Sequence, residues 1–85
     1  MKKETIISLI KGDVESYYKF ASSQFKEKAV DMLWKEFERR REWKRNKVEA
    51  YKDLTDREIL SQILLELLNT KHLFAYMVEK ELGLL

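Results

Sequence analysis

Chemistry in this chain would have to come from very few residue types. There is one histidine, His72, and no cysteine. A histidine pair for a metal, a thiolate ligand, a disulfide and a thiol nucleophile are therefore all excluded. His72 stands six residues beyond Glu66, which on a helix turns the two side chains about 120° apart. They do not make the Glu-x-x-His pair of a di-metal bundle. A serine nucleophile needs a base and an orienting group converging on a pocket. A lone histidine on the polar side of a helix, with no glycine-rich turn and no phosphate-binding loop, offers no such constellation. The residues predict a protein that is not an enzyme, with no catalytic, cofactor-binding or metal site and no cofactor.

What remains is charge. Lys35 to Lys47 holds seven Lys or Arg against three Glu, a net of +4 in a chain whose formal net charge is +2, so the rest of the chain is −2. On a helix, Arg39, Arg40, Lys44 and Lys47 cover one broad side with Trp43 among them. Such a face contacts phosphates and stacks on a base, which makes Arg39, Arg40, Trp43, Lys44 and Lys47 the candidate nucleic-acid-binding residues. The same run also reads as a solvated helix with local pairs, Glu38 to Arg41 and Glu42 to Arg45, at three-residue spacing. Its mixed signs weaken the basic signal.

Helices must position these residues. No proline, only two glycines, 45% apolar residues and abundant Leu, Glu, Lys and Arg indicate one folded, all-α domain over residues 1–85. Three helices are expected, at about 3–11, 14–53 and 56–82. The third organises the chain. Thr55 is its N-cap, and Glu58 completes a capping box with Leu54 and Ile59 placed as a hydrophobic staple. Lys80 suits the last turn and Gly83 a left-handed stop. Ile59, Leu60, Ile63, Leu64, Leu67, Leu68, Phe74, Val78 and Leu82 share one broad side, while Leu65 and Tyr76 fall on the polar side. The apolar arc covers about 200°, roughly twice what one neighbouring helix needs.

In the first helix Ile6, Leu9 and Ile10 fall on one side, and it is expected to stop at Gly12, with Asp13 opening the second. In the second, Phe25, Ala29, Leu33 and Phe37 form a ridge at four-residue steps, and its aromatics read as core. From Glu38 the apolar stripe gives way to charge, so there the helix leaves the core, bends between Arg41 and Lys47, or is exposed all round. Unbroken, that helix would span ~60 Å against ~40 Å for the third, an overhang that invites a second chain. The expected architecture is a short N-terminal helix followed by a long antiparallel helical hairpin, assembled as a helical-bundle oligomer.

Ile7-Ser8-Leu9-Ile10-Lys11-Gly12-Asp13, followed by Tyr17, Tyr18 and Phe20, resembles the opening of region 2 of small sigma factors. There a helix ends in Gly-Asp before a longer helix bearing aromatics. The resemblance covers Ile7 to Phe20, the acidic signature expected later in that region is absent, and no residue role follows from it.

The apolar run after Met1-Lys2-Lys3 extends only from Ile6 to Ile10 and has no small-residue cleavage site, so no signal peptide is expected. Ile59 to Val78 contains Glu66, Lys71 and His72 and reads as a soluble helix rather than a membrane span. The absence of cysteine fits the cytoplasm. The functional expectation is a small helical interaction or regulatory protein, working as a homodimer or on another helical protein. Its contact residues would be Ile59, Leu64, Leu68, Leu73, Met77 and Leu82. A nucleic-acid-binding regulator using residues 35–47 is the alternative, and no membrane partner is expected.

Overall fold

Ile6, Ile10 and Val14 stand four residues apart, and a helix that buries all three has to run past Gly12. In the computed structural model, which describes all of residues 1–85, it does so. Helix α1 spans Lys3–Tyr17 and buries all three side chains. Gly12 lies on the solvent side, with no atom within 4 Å of where a Cβ would stand. A helix-interior glycine costs roughly 1 kcal/mol relative to alanine. Burying Val14 contributes about 1.5–3 kcal/mol, so packing outweighs propensity. The expected stop after residue 11 is corrected. The helix–Gly-Asp–helix break behind the sigma-factor resemblance does not exist, since both residues lie inside α1.

The break comes at Tyr18–Ser22 instead. Ser22 caps helix α2, Ser23–Arg45, its Oγ accepting from the Phe25 amide at 3.1 Å. Serine takes that position because its oxygen satisfies an amide that the first turn leaves without a partner. The ridge Phe25, Ala29, Leu33 and Phe37 is buried, as its spacing predicted. Helix α2 ends in a Schellman motif. The Val48 amide donates to the Trp43 carbonyl at 2.9 Å and the Lys47 amide to that of Lys44 at 3.0 Å. Lys47 sits at φ 58°, where glycine is usual. Turns over residues 48–54 then bring Tyr51 and Leu54 back against the core. The single helix expected over 14–53 is therefore two shorter pieces. The longest dimension of the molecule is 37 Å, so the expected overhang disappears as a reason for a second chain.

Helix α3, Asp56–Asn69, starts as its sequence predicts. The Thr55 Oγ1 accepts from the Glu58 amide at 3.1 Å, and the Glu58 carboxylate accepts from the Thr55 amide at 2.9 Å. It stops at Thr70, and helix α4, Lys71–Glu81, follows. The Thr70 hydroxyl donates to the Glu66 carbonyl at 2.7 Å, while the Thr70 amide bonds to Leu67 at 3.2 Å. In a continuous helix the amide would take that Glu66 carbonyl. A threonine hydroxyl competing for its own i−4 carbonyl bends helices, and the expected unbroken helix 56–82 is corrected accordingly. Gly83, at φ 77°, ends α4 as predicted, with Leu84 bonded back to Glu79 at 2.9 Å.

The result is a four-helix, strand-free chain. All four helices supply one core, and no polar or charged residue is buried in it.

Candidate interaction site

Arg40 shows how the charged segment is used. Its guanidinium makes two bonds to the Glu66 carboxylate, at 2.7 and 2.9 Å. It also reaches Gln62 at 2.7 Å and Glu36 at 2.8 Å. The planar fork of arginine matches a carboxylate in this way, and lysine could not replace it. Only 11% of the side chain is exposed. The Glu66 hydrogen bonds hold Arg40 charged above its ordinary pKa and pull Glu66 below the usual carboxylate range. Arg40 ties α2 to α3. It is not available on an open basic face, which corrects its place among the nucleic-acid candidates.

Its neighbours are occupied too. Lys35 pairs with Asp31 at 3.1 Å, Arg39 with Glu36 at 2.9 Å, Arg41 with Asp56 at 3.9 Å, and Arg45 with Glu42. Of the two local pairs expected, Glu42–Arg45 forms, while Arg41 turns to Asp56 and lies over the Phe37 ring. Trp43 packs against Tyr51 with ring centroids 5.3 Å apart and stays partly exposed. Lys44 and Lys47 make no ion pair. The field of Lys44 adds a minor contribution to the low pKa of Glu58, which its bonds to Thr55 chiefly cause. His72 is exposed on α4. No three His, Cys, Asp or Glu side chains are grouped to hold a metal ion.

The apolar candidates divide differently. Ile59 is 0% exposed and belongs to the chain's own core, so it is withdrawn as a contact residue. Leu64 and Leu82 are half-buried against that core. Leu68, Leu73 and Met77 are exposed, and Leu65 and Tyr76 are exposed with them. Helical spacing explains this. Ile59, Ile63 and Leu67 set the inward side of α3, and Leu65 stands almost opposite them. In α4, Phe74 and Val78 face the core, so Leu73, Tyr76 and Met77 turn away. The outer side of α3 and α4 thus carries exposed apolar side chains, Leu73 at 62% and Leu65 at 60% exposure, set among exposed Ser61, Asn69 and His72. A groove of about 440 Å³ runs beside it, between α2 and the α3–α4 bend, with Met32, Phe74 and Met77 in its wall.

Comparison with protein-family models, curated proteins and solved structures finds no match to this chain. No helix is long and apolar enough to cross a membrane. Sequence reasoning missed two features: the Arg40 hub and an outward-pointing Phe20 in the α1–α2 corner. Glu66, 26 residues from Arg40, carries no sequence signal of the pairing. Phe20 follows two tyrosines that do pack inward, and nothing in their spacing separates it from them.

Proposed function

We propose that this chain is a non-catalytic helical interaction protein, which binds other protein surfaces through the outer side of α3 and α4. One observation carries the reading. Leu65, Leu68, Leu73, Tyr76 and Met77 are all exposed within a single stretch. At roughly 100 Å² each they leave about 500 Å² of side chain open on this side, set among Ser61, Asn69 and His72, and exposed apolar surface on this scale marks interaction sites. The fitting occupant is the apolar side of another helix, from a second copy in a helical-bundle oligomer or from a different helical protein. A hairpin in which α3 and α4 run back antiparallel along α2 would present this side away from α2. Arg40 pairing with Glu66, and Lys28 sharing a groove wall with Glu81, support that arrangement. The cysteine-free composition suits a cytoplasmic setting. A nucleic-acid-binding role would fall to Trp43, Lys44 and Lys47, the basic-segment candidates that the ion-pair network leaves open.

The test is Leu65→Asp combined with Leu73→Asp. Both side chains are exposed, so circular dichroism should report an unchanged fold. The variant should lose the protein complex that the wild-type chain forms in its native extract. Retention of every wild-type complex would refute the assignment. A salt-sensitive shift of DNA or RNA, lost on replacing Lys44 and Lys47, would move the function to the basic segment.

A further inference from the structure

The corner between α1 and α2 presents an aromatic ring to solvent on a backbone tied to its neighbours. Phe20 is 93% exposed, with the Lys19 ammonium 5.1 Å from its ring centroid. The residues around it are fixed. The Tyr18 hydroxyl donates to the Lys71 carbonyl at 2.6 Å, and its ring packs 5.2 Å from Phe25 and 6.3 Å from Phe74. The Lys26 ammonium donates to the Lys19 carbonyl and to the Glu15 carboxylate, both at 3.0 Å. A corner so tied has little backbone freedom left to lose when Phe20 is buried.

Phe20 stands on the rim of an open groove of about 510 Å³ that it lines together with Tyr17, Ala21, Phe25, Ala75 and Leu84. Only two charged residues line it, Lys19 and Glu79, of opposite sign. We propose that this corner is a self-association site. Phe20 of each copy seats in the other's groove about a two-fold axis, with Lys19 opposite the partner's Glu79 on both sides. A knob adjacent to a hole on one surface is self-complementary under two-fold symmetry, and the paired opposite charges fix the register. A bilayer fits less well, because Lys19 and Lys26 are matched by Glu79 and Glu15 and leave the corner no net positive charge for anionic headgroups. This inference rests on the reading that the chain works through protein contacts. It assigns contact between copies to the corner and leaves the outer side of α3 and α4 to a different protein.

Sedimentation equilibrium on the whole chain tests it. The wild type should approach twice its 10.3 kDa mass. Phe20→Ala, which removes no core contact, should keep its melt and weaken the dimer at least tenfold. Lys19→Glu should weaken it as well, and adding Glu79→Lys should restore it. Leu65→Asp with Leu73→Asp should leave the dimer intact. A wild type that stays monomeric at its highest soluble concentration overturns the proposal, as does a Phe20→Ala chain that dimerises normally. If Leu65→Asp with Leu73→Asp separates the copies and Phe20→Ala does not, the corner is wrong while the outer face of α3 and α4 stands.

Discussion

Lys47 occupies a backbone conformation that its side chain disfavours. At φ 58° it closes the end of α2, and a left-handed non-glycine residue costs about 1–2 kcal/mol. Lys47→Gly should therefore raise stability by about 1 kcal/mol in urea unfolding, an unusual gain from a glycine. Gly12 gives the converse case. It is helical, solvent-facing and unobstructed, so Gly12→Ala should stabilise by about 0.5–1 kcal/mol. Arg40 differs from both because its partners lie on two helices. Arg40→Ala should cost about 1–2 kcal/mol, from the lost packing of a side chain only 11% exposed and its charge-assisted bonds, a loss that water at the exposed Glu66 and Gln62 partly offsets. A double-mutant cycle with Glu66→Gln should show coupling of about 1 kcal/mol, kept modest because Glu66 is half exposed.

The helices are held by end chemistry whose strength depends on pH. Glu58 at the start of α3 and Glu66 in its third turn both have carboxyls pulled below the ordinary range, by Thr55 and by Arg40 respectively. A carboxylate with a depressed folded pKa contributes stability that is complete above its unfolded value. That stability is lost as pH falls through the folded value. Asp13 works the other way, because burial raises its pKa and folding then favours its protonated form. With two lowered groups against one, stability should fall on the acid side of the ordinary glutamate range. Glu66→Gln should flatten that decline in unfolding curves measured across it. Thr55→Ala, which removes one half of the capping box, should cost about 1 kcal/mol near neutral pH.

At the scale of the whole molecule, one core receives side chains from all four helices, and, apart from the scattered Met1, Leu9, Trp43 and Val48, the exposed apolar side chains lie in two places. The outer side of α3 and α4 is a broad face, and the Phe20 corner is a narrow projection beside a groove. These are different kinds of surface, and separate substitutions reach each of them. Helical spacing sets the first: Phe74 and Val78 continue the inward side of Ile59, Ile63 and Leu67 across the bend at Thr70, and Leu73 and Tyr76 turn away from it.

Helical class, the ridge Phe25–Ala29–Leu33–Phe37, the Thr55 capping box and the Gly83 stop were all legible in the order of residues. Each depends on interactions spanning a few positions, or on a period that repeats along one helix. The helix ends at Tyr17, Arg45 and Asn69 were not. Gly12 reads as a stop until the burial of Val14 outweighs its propensity. Lys47 gives no hint of a left-handed residue until the chain must turn toward Tyr51. Thr70 reads as an ordinary helical residue until its hydroxyl takes the Glu66 carbonyl. The charged run was legible as charge, but its pairing was not, because Glu66 and Asp56 reach Arg40 and Arg41 only after α3 packs against α2. Short-range preferences of ~1 kcal/mol set the local pattern. Burial of whole side chains, decided only by tertiary packing, chose where that pattern was overruled.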